Sequence, residues 1–348
     1  MDNRKKMAAE QKQRLTIMSL SVAVSTILMA VKFYAYWLTG SAAILSDALE
    51  SIINVVASGF ALWSVIVAAR PPDTSHPYGH GKIEYFSAGF EGALITIASG
   101  GIIWEALPAI REPGALPGLG YGLLILAFTA AANLLLGVVL IRTGKRTRSA
   151  AVLADGKHIL TDVYTTAGVL IGLFLVRQTG WYFLDGAIAC LVALNILFIG
   201  AKLVREAIHR LMDASDPALL DQIVKVITEN RKPTWIDIHR LRAWRSGDRI
   251  IADLHLILPR DLSLEAAHRE MMEIEQMLRT HVPGMGEALV HAEPCIAPEC
   301  PICSNEPCEI RIEPVAEECV WHRASMSSPS RRRGRKQGSK NTRQDSQD

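Results

Sequence analysis

Six membrane-spanning helices followed by a small α+β domain on the cytosolic side is the fold class that the sequence predicts, and three observations predict it. Hydrophobic residues make up 49% of the 348 positions, and nearly all the long apolar runs fall between residues 15 and 205. One of them, Leu119–Ile141, runs 23 residues without a charge, enough to cross about 30 Å of hydrocarbon as a helix. Past Asp213 the composition turns to that of a water-soluble domain. The formal net charge of +2 says little as a sum, because the charges are segregated along the chain. The first apolar run is too long for the core of a signal peptide, and no small-residue cleavage site follows it.

In order, the chain divides into a polar, basic tail (residues 1–14), a transmembrane region (15–212), a cytosolic domain (213–294) and an extension (295–348). The tail, with Arg4, Lys5, Lys6 and Lys12, is expected to be disordered. The six apolar runs are Leu15–Leu38, Ala42–Ala69, Ser87–Ile110, Leu119–Ile141, Ala150–Val176 and Trp181–Val204. Tyr34, Tyr36, Trp37, Trp181 and Tyr182 sit at run ends, as interfacial aromatics do. Lys32 lies within the first run, where snorkelling explains it. Lys and Arg crowd one side of the predicted membrane (Arg70, Lys82, Arg142, Lys145, Arg146, Arg148, Lys202), while the other has only Arg111 and Arg177. The positive-inside rule therefore places both termini in the cytosol, with the chain integral to the plasma (inner) membrane.

In the cytosolic domain, Pro217–Asn230 reads as an amphipathic helix capped by Asp216. Trp235–Trp244 and Arg249–Leu258 alternate, with Ser246-Gly247-Asp248 as a hairpin turn. Leu262–Thr280 is a second helix and Ala288–Ala292 a last short strand. The order α-β-β-α-β suits a two-layer sandwich. The extension ends in SSPSRRRGRKQGSKNTRQDSQD, too poor in apolar residues to fold. Its basic run reads as a solubilising end or a lipid-attracted tail rather than a nucleic-acid site.

The chemistry centres on the second and fifth runs. Asp47, Glu50 and Asn54 fall at i, i+3 and i+7, hence on one helical face. Asp155, His158 and Asp162 repeat that spacing roughly a hundred residues later. Ionisable groups at lipid depth are costly and mark function by default. The plainer alternative is a polar seam that merely joins helices. Glu50, Asn54, His158 and Asp162 offer three oxygens and one nitrogen, a suitable set for a divalent first-row ion, and lack the thiolate that copper(I) prefers. Asp47 and Asp155 would support them from behind. Binding needs neutral His158 and ionised carboxylates, so metal uptake expels protons. His158 is also the one ligand whose reference pKa, about 6.5, lies near cytosolic pH.

These features, together with HPYGHGKIE (His76–Glu84), LADGKHILTD (Leu153–Asp162), RLMDASDP (Arg210–Pro217) and VHAEPC (Val290–Cys295), resemble the cation diffusion facilitator family over residues 15–295. The resemblance implies a homodimeric divalent metal/proton antiporter of the Zn, Fe or Mn class. It further implies six spans, a ferredoxin-like cytosolic domain, and no cofactor beyond transported or regulatory metal ions. It places the transport site on Glu50, Asn54, His158 and Asp162. The family commonly has Asp or His and then Asp at the two second-span positions. Glu50 and Asn54 depart from that, and the oxygen-rich set leans towards Mn²⁺ or Fe²⁺. The resemblance adds an accessory site on Asp73, His76 and His80, an interlock between Lys82 and Asp213, and a regulatory metal on His239, His255, His268, His291 and Glu293. Capping in a hydrated loop is the plainer role for the first group, and ordinary surface chemistry for the last.

Cys295, Cys300, Cys303 and Cys308 show a C-x4-C-x2-C-x4-C spacing that the resemblance does not cover beyond the first cysteine. Four thiolates can close a tetrahedral metal site, and a redox-labile tail is the alternative. Two rival functions fit the whole chain less well. An intramembrane metallohydrolase lacks an HExxH motif, and only His158 lies deep in the spans. A membrane-anchored metal sensor leaves the matched polar faces of two spans unexplained.

Overall fold

A computed structural model describes residues 2–39, 42–111, 120–181, 183–316 and 319–331. Two compact units divide between Ala214 and Ser215, with the hairpin tip Ser246–Asp248 grouped with the first.

The first unit is built from six long helices: α1 (Asp2–Thr39), α2 (Ala42–Ala68), α3 (Ile83–Arg111), α4 (Gly120–Thr147), α5 (Ala150–Thr179) and α6 (Phe183–Leu211). Among the described residues, five of them are long and apolar enough to cross a membrane, namely α1 to α4 and α6. The remaining helix, α5, carries Asp155, Lys157 and Asp162 within three turns. The unit turns large apolar side chains outward, Trp104, Ile97, Leu135 and Phe198 among them. Such a surface suits lipid and would be a liability in water.

Small residues set the helix spacing. A Cβ on Gly92 of α3 would come within 2.8 Å of the Leu203 Cβ and 3.0 Å of the Gly200 carbonyl on α6. Gly156 of α5 is pressed equally against Leu140 and Ile141 of α4. Close backbone approach of this kind is how helices associate in a bilayer, where no hydrophobic force drives them together. Ile17, Met18, Val65, Leu140 and Ile159 fill the space among α1, α2, α4 and α5.

Two expectations for this unit need correction. The N-terminal tail is not disordered: α1 begins at Asp2, and residues 4–14 contain only good helix formers and no breaker. Lys32 is buried at 7% exposure rather than snorkelling outward.

The second unit has the expected α-β-β-α-β order: α7 (Pro217–Glu229), β1 (Asp237–Ser246), β2 (Arg249–Leu258), α8 (Leu264–His281) and β3 (Met285–Pro294). Asp216 caps α7, accepting from the Ala218 and Leu219 N–H groups, with Pro217 at the first turn. Gly247, at φ 63°, makes the turn between β1 and β2. The sheet order is β1-β2-β3, with β3 parallel to β2 and His255 opposite His291. Alternate residues of β2 (Ala252, Leu254, Leu256) join Ile223, Ile227, Ile274 and Leu278 of the helices in one core. The other face carries polar groups beside a smaller apolar cluster of Ile236, Ile257 and Cys303. Trp235 lies just before β1 instead of opening it, buried and donating to Glu270 Oε2 at 2.6 Å.

The extension is also corrected. Residues 295–316 and 319–331 fold onto this unit through a 3₁₀ turn (Ala297–Ile302) and a short helix α9 (Arg323–Met326). Ile302, Cys319, Trp321 and Met326 enter the main core, and the Arg231 guanidinium lies 4.0 Å over the Trp321 ring. Residues 332–348, with the rest of the basic run, lie outside the described residues.

Candidate metal centres

Inside the first unit, Asn54 on α2 meets His158 and Asp162, one turn apart on α5. The Asn54 Nδ2 donates to Asp162 Oδ2 at 2.6 Å, and the Asn54 Oδ1 lies 2.9 Å from His158 Nε2. Since Oδ1 can only accept, this orientation puts the imidazole proton on Nε2. His158 Nδ1 has no hydrogen-bond partner among the described residues. Asn54 and His158 are 9% and 5% exposed. Three metal-type ligands are thus joined in one chain, and a cation settling among them would replace these two hydrogen bonds.

Glu50 and Asp47 are on α2, but their side chains lie outside the described residues. Asp155 does not reach the chain of three. Its carboxylate accepts from Ser21 of α1 and Ser58 of α2, both at 2.6 Å, and so ties α5 to its neighbours. It positions the helix that carries the ligands.

Two buried acids of α3 escaped the sequence reading. Glu84 is bonded by Ser149 at 2.5 Å and lies 3.6 Å from Arg14. Glu91 is fully buried, and neither of its oxygens has a hydrogen-bond partner among the described residues. A lone acid in an apolar run was the only available signal for it.

In the loop after α2, one ligand atom from each of Asp73, His76 and His80 falls within 4.8 Å of the others. Asp73 lies 3.4 Å from His76 Nδ1 and 3.3 Å from His80 Nε2. It also accepts the backbone N–H of His76 at 2.7 Å, which holds its carboxyl below the ordinary value. The capping role and the ligand geometry therefore coexist in one residue. Lys82 and Asp213 pair at 2.8 Å.

On the helix-free face of the sheet, His239 (β1), His255 (β2), His291 and Glu293 (both β3) converge. One ligand atom from each of His239, His255 and Glu293 falls within 4.8 Å of the others. Glu293 lies 2.8 Å from His255 Nδ1, 3.6 Å from His239 Nε2 and 3.9 Å from His291 Nε2. His268 does not join them: it is exposed on α8, and α8 packs on the opposite face. Arg331, read from the sequence as part of a loose basic tail, instead donates to Glu293 Oε2 at 2.6 Å. A cation from the chain itself thus shares the carboxylate that a metal would use.

This cluster makes the second unit acid-sensitive. Burial holds His239 below the ordinary imidazole value, against the pull of Glu293. Burial opposes ionisation of Glu293 too, but hydrogen bonds from His255 and Arg331 outweigh it and keep the carboxyl below its usual range. An unfolded His239 takes up a proton near pH 6.5, before the folded one does, so its contribution is present above that pH and declines below it. The Glu293 contribution is present above the usual carboxylate range and is lost at lower pH still. In chelator, the melting temperature of this unit is expected to fall from pH 7 towards pH 4, and His239→Gln to remove the upper part of that slope. A flat profile between pH 7 and 5.5 in the unaltered chain would contradict the assignment.

A helical membrane unit with paired polar faces, joined to an α-β-β-α-β domain whose sheet carries a histidine–carboxylate cluster, is the architecture of a metal-ion transporter. Residues 18–212 match the cation efflux transmembrane domain family, and residues 216–295 match the cation efflux protein cytoplasmic domain. The chain belongs to this cation diffusion facilitator family. It is 34% identical to an uncharacterized transporter of Synechocystis over 84% of this chain and 94% of that protein. It is 28% identical to the cation-efflux pump FieF of Salmonella typhi over 79% and 91% of the two chains. It is therefore an integral membrane protein of a transporter family.

Proposed function

We propose that the chain is a homodimeric, proton-coupled exporter of a divalent first-row transition-metal ion. The carrying observation is the chain His158–Asn54–Asp162, linked at 2.9 and 2.6 Å between α2 and α5, at the depth of the spans. Glu50, on the same face of α2, completes the ligand set. The ion enters from the cytosol, displaces the imidazole and amide hydrogen bonds, and leaves when protons reclaim the ligands on the far side. Both termini face the cytosol, and the His239–His255–His291–Glu293 cluster takes a regulatory ion that draws two cytosolic domains together. A shift in domain pairing then biases the transmembrane dimer between inward- and outward-facing states. The cation-efflux pump name of the FieF relative supports outward transport.

A membrane-anchored sensor would share the sheet cluster but has no use for a ligand chain inside the spans. Metal flux into proteoliposomes separates the two, since a sensor gives none.

Asn54 is expected to set ion preference. Its neutral amide withholds one charge from the site, so Asn54→Asp should raise Zn²⁺ flux relative to Mn²⁺ by about tenfold, the equivalent of ~1.4 kcal/mol. An unchanged ratio would move selectivity to the packing around the site.

A further inference from the structure

The extension gathers four thiols around one small cavity. Cys295, Cys300, Cys303 and Cys308 line one cavity of about 20 Å³ just beyond the end of β3. That volume admits about one water-sized particle. None of these cysteines is in a disulfide, and Cys303 is only 6% exposed. The Cys303 N–H donates to the Cys300 carbonyl at 3.2 Å, so the C-x2-C pair brackets a single turn. Arg311 locks that turn from behind, donating to the carbonyls of Cys300 (3.3 Å), Cys303 (3.2 Å) and Asn305 (2.8 Å). Arg260 and Arg311 also line the cavity. Their two positive charges balance what four thiolates leave over around a divalent ion. Glu299, the nearby acid, is already engaged by the Ile296 N–H and by Arg331.

We propose that Cys295, Cys300, Cys303 and Cys308 form a four-thiolate site for one thiophilic divalent ion of the zinc class, which clamps the extension against the sheet. The thiols ring the cavity more widely than the histidine clusters, whose ligand atoms fall within 4.8 Å of one another. Loading draws the sulfurs inward to metal–sulfur distances of about 2.3 Å. Each thiol loses its proton on binding, and the protons pass to solvent. The site is independent of the transport reading, since it involves no residue of the spans.

Cobalt(II) added to the full-length, reduced protein in detergent tests this directly. One cobalt per chain should give the near-ultraviolet thiolate-to-cobalt band, which histidine and carboxylate sites cannot produce, and zinc should bleach it. The double variant Cys300→Ser/Cys303→Ser should lose the band. In case that variant misfolds, zinc added to the unaltered chain should protect Cys295, Cys300, Cys303 and Cys308 from alkylation while leaving Cys190 unchanged. Absence of the band, equal alkylation with and without zinc, or isolation of the chain with iron and acid-labile sulfide on these thiols would each overturn the proposal. Metal flux, measured separately, is left unaffected by any of these results, so failure here and failure of the transport reading are distinguishable.

Discussion

Asp162→Ala is expected to reduce metal flux to the background of empty liposomes while the protein still purifies as a folded dimer. Asp162 is the only ionisable oxygen ligand among the described members of the chain of three, and its Oδ2 sits 2.6 Å from the Asn54 amide. Alanine removes both the formal charge that draws a divalent ion to lipid depth and the partner that orients Asn54. The fold should survive, because α5 is anchored elsewhere. Asp155 is bonded to Ser21 and Ser58, and Gly156 lies tight against α4. Flux in radioisotope-loaded proteoliposomes, beside size-exclusion of the same preparation, decides it. Flux like that of the unaltered chain would remove Asp162 from the pathway.

Trp321→Ala should destabilise the cytosolic domain by about 3–5 kcal/mol, the usual cost of truncating a buried tryptophan. Trp321 is 5% exposed, belongs to the same core as Ile223 and Leu278, and supports the Arg231 guanidinium at 4.0 Å. For a domain of this size such a loss lowers the melting temperature by more than about 10 °C. Deletion of everything after Glu293 should be at least as damaging, because Ile302, Cys319 and Met326 leave with it. Hydrogen exchange of β1 and α7 in the full-length protein reads the effect without requiring the domain to be cut out. Unchanged protection in Trp321→Ala would mean that the extension merely lies on a domain complete without it.

The contrast between these two residues shows what the sequence made legible. The matched stripes of α2 and α5 announce themselves because helical spacing turns i, i+3 and i+7 into one face, and lipid makes every polar exception conspicuous. The cap at Asp216-Pro217 and the turn at Gly247 were equally readable, since each depends on neighbouring residues alone. Trp321, Ile302 and Met326 are single apolar residues in a polar stretch, with no period to mark a helix or strand. Their burial depends on a surface made by residues 80 to 100 positions earlier. A separation of 38 residues likewise hid the Arg331–Glu293 pair, which only tertiary structure brings together. His268 failed for the complementary reason: its type matched the cluster, but the two-layer fold puts α8 on the other face. At the N-terminus, charge suggested disorder where helix propensity prevailed.

Simultaneous recording of metal and proton movement in proteoliposomes tests the central claim most directly. With a metal-sensitive dye and a pH dye sealed in the same vesicles, an inward metal gradient should acidify the outside and alkalinise the lumen in step with metal entry. An imposed pH gradient, acid inside, should drive metal inward without any metal gradient. Metal entry that proceeds at the same rate whatever the pH gradient, with no matching proton movement, would contradict the account.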